Sequence, residues 1–207
     1  MKKIICFDVN GTLVDDEAWD FFEDQKEEVE KNYSLFSSKG ITIDELFKRF
    51  VLSLIKIGKK KKSDFSNIPV GNLKEGAEEI IKYLKSKNYI IYLVSCSLDV
   101  YLEVLSKKLS LDGYYAGSKV IFDNDDNISH ILGDCYKMKA FKEEKVKEIA
   151  LKEGVKIEEI YFVGDGRNDL DAFKITKHGI AIDSKVEELN NCAFRKIKSL
   201  LEIKEFL

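Results

Sequence analysis

The run Lys3-Ile4-Ile5-Cys6-Phe7, followed at once by Asp8-Val9-Asn10-Gly11, constrains this chain more than any other segment. A short apolar stretch without polar alternation describes a strand covered on both faces, as in parallel sheets with helices above and below. The glycine then marks a turn. Sites in open α/β sheets gather at the carboxyl ends of such strands, so Asp8 stands where a carboxylate can act as a nucleophile. Asp and Asn before a glycine are also ordinary turn residues, and the later segments must decide between the two readings.

Apolar runs recur at Ile90-Ile91-Tyr92-Leu93-Val94, at Ile160-Tyr161-Phe162-Val163 and, more weakly, at Gly179-Ile180-Ala181-Ile182. Between them, Glu75–Lys87 places Ala77, Ile80, Ile81 and Leu84 on one helical face, and Glu144–Lys152 repeats Val146, Ile149 and Ala150. Strands alternating with helices predict βαβ units, a parallel sheet and an α/β fold. From residue 15 to about 68 the apolar residues Trp19, Phe21, Phe22, Leu35, Leu46, Phe47, Phe50, Leu54 and Ile57 follow helical spacing. This predicts a helical insertion, residues 15–69, with its own small core, between a first segment 1–14 and the remainder 70–207. The only proline, Pro69, marks the return. Lys119–Phe122 and Ile128–Leu132 flank an acidic turn and read as a hairpin. That turn lacks the ligand spacing of an EF-hand calcium loop.

Composition narrows the partners. With 34 basic and 37 acidic residues the net charge is -3, which gives no overall field for a polyanion and predicts no nucleic-acid partner. The basic cluster Lys59–Lys62 reads as a solvated loop. Cys6, Cys96, Cys135 and Cys192 form no C-x-x-C pair and have no histidine at ligand spacing, which argues against zinc and against a disulfide scaffold. The apolar run before Asp8 is too short for a signal peptide, and no run reaches the length of a membrane span, so the expectation is a cytoplasmic protein with no membrane partner.

Four separated pieces carry the chemistry: Asp8 with Asn10; Ser95 after the strand 90–94; one of the lysines between 137 and 147; and Gly164-Asp165-Gly166-Arg167-Asn168-Asp169 after the strand 160–163. Each stands where a strand gives way to a loop. A carboxylate nucleophile, a hydroxyl and an ammonium to hold a phosphoryl group, and further carboxylates for Mg2+ make one coherent site. His130 and His178 have no proton step in it and read as surface residues.

Taken in order, these motifs resemble those of the haloacid dehalogenase superfamily of phosphatases, in particular the phosphoserine phosphatase branch. The D-x-D-G/S-T-L/V motif of that family corresponds to Asp8-Val9-Asn10-Gly11-Thr12-Leu13-Val14, its hydroxyl motif to Val94-Ser95, and its G-D-G-x-N-D motif to residues 164–169. The resemblance spans nearly the whole chain. It implies a Rossmann-like core with a small α-helical cap, Asp8 as the phosphorylated nucleophile and Lys142 as the phosphate-binding lysine. It further implies Ser95, Cys96 and Asn168 around the phosphate, a Mg2+ site at Asp8, Asp165 and the Asn10 backbone carbonyl, and Gly11, Thr12 and Asp169 in support. A small phosphorylated metabolite is the implied substrate; Glu17 and Arg49 fall where the branch meets an amino group and a carboxylate, which suggests phosphoserine.

Three positions depart from the family pattern. The branch has Gly-Gly after the motif serine, where this chain has Cys96-Ser97. The second aspartate of the first motif is Asn10, an amide that keeps the backbone carbonyl but cannot carry the proton that the family's aspartate transfers. Such a role is typically worth about 10²–10⁴ in rate. The resemblance therefore implies an intact nucleophile with an impaired acid-base step; the alternative is a catalytically weak phospho-ligand or protein-binding member of the fold.

Overall fold

The structure, a computed structural model, describes residues 2–15, 25–66, 68, 70, 72–133, 135 and 140–207. Among them seven strands form one sheet: β1 (Lys3–Phe7), β2 (Tyr89–Leu98), β3 (Gly113–Phe122), β4 (Ile128–Gly133), β5 (Ile160–Gly164), β6 (Gly179–Ile182) and β7 (Arg195–Ile197). The order across the sheet is β4-β3-β2-β1-β5-β6-β7. Only β3 and β4 pair antiparallel; all other neighbours are parallel. This is the expected α/β fold. The chain departs to opposite sides of β1, toward β2 and toward β5, and a crevice at the carboxyl ends of the strands lies at such a switch point.

The absence of polar alternation in β1 has a direct cause. Ile5 and Phe7 share a core with Ile80 and Leu84 of α3 (Ala77–Ser86) and with Leu102 and Leu105 of α4 (Asp99–Lys108). Ile4 and Cys6 share the opposite core with helices covering the other face, through Val146 and Ile149 of the helix Phe141–Glu153 and Phe173 of the helix Leu170–Thr176. All of these strand side chains are fully buried, which for residues of this size is worth about 1.5–3 kcal/mol each. The four cysteines are free thiols.

Some boundaries differ from the sequence expectation. β2 runs on through Ser95 to Leu98, with an irregular register against β3 between those two residues. β3 starts at Gly113, six residues before the expected hairpin strand, because residues 113–118 pair parallel with β2 despite two glycines that weaken strand propensity. α4 and β7 occupy stretches where the sequence reading places no element. The start of α4 is fixed by Asp99, whose Oδ1 accepts the backbone N–H groups of Val100 and Val120, both at 2.9 Å.

The insertion begins and ends at one place: the N–H of Asp15 donates to the Asn72 carbonyl and that of Lys74 to the Leu13 carbonyl, both at 2.9 Å. Its described part is α1 (Lys26–Ser37), α2 (Ile43–Lys56) and a 3-10 turn at Lys62–Phe65, with no strand among the described residues. Thr42 caps α2 by accepting the Glu45 N–H at 3.2 Å, and Asp44 and Glu45 lie in its first turn. The apolar face Leu46, Phe47, Phe50 and Leu54 does not close on itself as expected. It belongs to the same core as the sheet, with α2 lying against β4 and Phe65 meeting Phe122 edge-on at 5.6 Å between ring centroids. Two helices leave one apolar side open, and the edge strand β4 offers Ile128 and Ile131 to cover it. Trp19, Phe21, Phe22 and Pro69 lie outside the described residues.

The lysine run is less free than expected. Lys60 to Lys62 expose their side chains, yet their backbone is tied to the hairpin turn, with Lys62 N–H donating to the Asp126 carbonyl at 2.9 Å and Ile128 N–H to that of Lys60 at 2.7 Å. In that turn Asp123 Oδ1 accepts the N–H groups of Asn127 and Asp125, which hold its carboxyl below the usual range. No helix among the described residues is long and apolar enough to cross a membrane.

Candidate active site

The loop after β1 is folded tightly on itself, because the Val9 carbonyl receives the N–H groups of Thr12, Leu13 and Val14 at 3.2, 2.8 and 3.0 Å. Gly11 has φ +74, and a Cβ there would run into the Asp165 carboxylate. Only glycine lets the loops after β1 and β5 approach this closely. Thr12, fully buried, completes the junction by donating from Oγ1 to Asp165 Oδ1 at 3.1 Å.

Across this junction lies a buried charge cluster. Lys142, in the first turn of the helix Phe141–Glu153, places Nζ 2.8 Å from Asp8 Oδ1 and 2.5 Å from Asp169 Oδ1, and all three side chains are at most 6% exposed. Burial alone would depress the lysine, but the charges of Asp169 and Asp8 outweigh it and hold the ammonium above its ordinary range. Burial pushes the Asp169 carboxyl upward, against the pull of Lys142 and the N–H of Gly166. Removing one partner of a buried ion pair leaves uncompensated charge. Lys142→Met should therefore lose about 3–5 kcal/mol of folding stability, read from urea denaturation in chelator-treated buffer.

Asp8, Asp165 and Asp169 each offer a carboxylate oxygen, all within 4.8 Å of one another. Asp169 is already engaged: Oδ1 by Lys142, and Oδ2 by the N–H groups of Asp165 and Gly166 at 3.1 and 2.9 Å. Burial and the neighbouring charge of Asp8 raise the Asp165 carboxyl, the condition a divalent cation would relieve. One or two carboxylates with room for water and phosphate oxygens fit Mg2+. The donor set thus fits the ion: Asp8 and Asp165 could hold it, and Asn10 lies on the same loop as Asp8.

Ser95, 2% exposed, lies in the irregular stretch of β2 with its Oγ 3.2 Å from that of Ser97. The Asn10 amide donates from Nδ2 to Ser97 Oγ at 3.3 Å. Cys96 and Asn168 line a cleft of about 370 Å³ with Cys135, Phe141, Lys142 and Arg167. Arg49 sits on α2, where its guanidinium donates to Glu45 Oε1 and Asn32 Oδ1, both at 3.0 Å and both within the insertion. Glu17 lies outside the described residues. His130 is exposed on β4, and His178 packs on the Tyr161 ring at 4.9 Å just before β6, at the opposite end of the sheet from Asp8.

Two residues escaped the sequence reading. Ser97 was legible only as a departure from a glycine pattern, not as a partner of Asn10. Ser184 donates from Oγ to the Asp165 carbonyl at 2.6 Å and so supports that loop from β6. Its signal was present: Asp183-Ser184 directly follows the strand 179–182, at a carboxyl end beside the Asp165 loop.

The model of the haloacid dehalogenase-like hydrolase family matches residues 5–174. A phosphoserine phosphatase of Methanocaldococcus jannaschii is 33% identical over 187 residues, covering 87% of this chain and 84% of that one. Among solved structures, a substrate-bound phosphoserine phosphatase complex superposes with a TM-score of 0.75 at 28% identity, covering 100% of this chain and 99% of the other. A phosphoserine phosphatase solved as a phospho-aspartyl intermediate analogue gives 0.73 at 28% identity, with the same coverage.

Proposed function

As this chain belongs to the haloacid dehalogenase-like hydrolases and is a phosphatase of their phosphoserine phosphatase-like branch, we propose that it hydrolyses a small phosphorylated metabolite of the cytoplasm, phosphoserine first, through a phosphoryl group carried on Asp8. The observation that carries this reading is the Lys142 ammonium 2.8 Å from Asp8 Oδ1 and fixed on its other side by Asp169. An ammonium there pairs with the Asp8 carboxylate and neutralises phosphoryl oxygens brought beside it. A binding module has no need of a carboxylate in that position, which favours an enzyme.

Asp8 attacks phosphorus, forming an Asp8–O–P bond as the bond to the leaving oxygen breaks. Ser95 and Lys142 hold the phosphoryl oxygens, and Asp169 holds the lysine. Water then attacks phosphorus, breaking the acyl phosphate and returning Asp8 as a carboxylate. Mg2+, held by Asp8, Asp165 and the Asn10 backbone carbonyl, supplies charge neutralisation at the phosphoryl group when bound. Asn10 has no acidic proton for the leaving alkoxide and cannot serve as the base for water, so both proton transfers fall to solvent and are slow. Residues 15–69 act as a cap, and their closure over the site excludes bulk water. The deciding experiment is phosphate release from phosphoserine and a panel of other phosphomonoesters with and without Mg2+. Magnesium-independent release, or release from none of them, would overturn the proposal.

Arg49 and Glu17 are proposed to meet the substrate carboxylate and amino groups. Arg49→Gln keeps a side chain able to bond Asn32 and Glu45 but loses the charge. Its kcat/KM should fall about 10-fold or more for phosphoserine, the scale of a hydrogen bond to a charged group, and change little for a simple alkyl phosphate. Equal losses on both substrates would assign Arg49 to the packing of α1 on α2.

A further inference from the structure

Two of the departures from the family pattern, at positions 10 and 97, touch each other. Asn10 Nδ2 lies 3.3 Å from Ser97 Oγ, Ser97 Oγ lies 3.2 Å from Ser95 Oγ, and the Ser97 N–H points at Ser95 Oγ from 3.4 Å. Ser95 and Ser97 are buried, so the direction of this chain is set by the protein and not by bulk water. From it we infer that Ser97 is a positioning residue which, together with Asn10, aims the Ser95 hydroxyl at the phosphoryl group. The inference rests on the proposed reading of Ser95 as a phosphoryl ligand.

An amide nitrogen only donates, and a hydroxyl has one proton. Ser97 Oγ therefore accepts from Asn10 and has its proton to give to Ser95 Oγ. Ser95 then accepts both the N–H and the O–H of Ser97, and its own proton is directed outward, to the phosphoryl oxygens. An ionised carboxylate at position 10 accepts only. Ser97 would then donate to position 10, and its oxygen would compete with the phosphoryl group for the Ser95 proton. Asn10 with Ser97 is thus one matched pair, and a carboxylate with a residue lacking a side-chain oxygen is the other. Mixed pairs are mismatched.

The test is binding of inorganic phosphate in the presence of Mg2+ by titration calorimetry, on Ser97→Ala in two backgrounds. In the Asn10 protein Ser97→Ala should weaken phosphate by about 3- to 10-fold, the scale of one hydrogen bond. In the Asn10→Asp protein the same change should leave phosphate binding unchanged or tighten it. Comparison within each background removes the effect of the added charge. Combining Ser97→Ala with Ser95→Ala should abolish the Ser97 effect, which a merely structural role would not do. Ser97→Gly, checked for folding by thermal melts alongside Ser97→Ala, should give the same ranking. Equal losses in both backgrounds, or a Ser97 effect that persists without Ser95, would overturn the inference and leave the proposed function standing. No phosphate binding by the unmutated protein with Mg2+ would overturn both.

Discussion

Asp8→Ala, given p-nitrophenyl phosphate and Mg2+, is expected to release nitrophenol at least roughly 10⁴-fold more slowly than the unmutated chain, in the range that deletion of a covalent nucleophile produces. It should also gain no phosphoryl mass on rapid quench. The expected stability change is small, and the cluster says why. Asp8, Asp165 and Asp169 share one ammonium, and the charge of Asp8 raises both other carboxyls. Removing Asp8 relieves that repulsion while Asp169 continues to hold Lys142. An Asp8→Ala protein that melts near the unmutated one and is inactive would separate chemistry from fold. Retained turnover would remove Asp8 from its role.

Asn10 should leave a different signature in the two halves of the reaction. Nitrophenolate departs as a stable anion, so the first half does not need a proton donor and Asp8 should be phosphorylated at an appreciable rate. Attack of water on the aspartyl-phosphate needs a base whatever group left first, so the covalent species should accumulate. The expected result is a stoichiometric nitrophenol burst followed by slow turnover, with intact mass spectrometry detecting one added phosphoryl group. Asn10→Asp should raise the steady-state rate by about 10² or more, the lower end of general acid-base effects, and abolish the burst. Fast turnover without a burst, unimproved by Asn10→Asp, would mean that another residue transfers the proton.

Sequence and structure agree best where side-chain pattern and backbone requirement coincide. β1 is found at 3–7 as expected, because only a strand buried on both faces accounts for that apolar run. The helices Ala77–Ser86 and Phe141–Glu153 follow their apolar spacing to within a few residues. Residues 113–118 were illegible as strand because Gly113 and Gly117 carry no strand signal; their pairing is provided by β2 alongside, which no local pattern records. The apolar face of α2 was legible as a face, but not its partner. Spacing tells which residues are buried together on a helix; only the position of the edge strand β4 tells against what.

The same division runs through the candidate site. The sequence by itself determined the α/β order, the strand ends that carry Asp8 and Asp165, the strand that carries Ser95 though not its end, and the glycine that the turn after Asp8 requires, since each follows from residue type and local spacing. Tertiary structure alone decided that Lys142 bridges Asp8 and Asp169, that Gly11 is where the loops of β1 and β5 meet, and that Asn10 donates to Ser97. Each of those contacts joins residues more than twenty positions apart. Their distances are fixed by sheet order and helix packing, and no property of either residue in the linear chain encodes them.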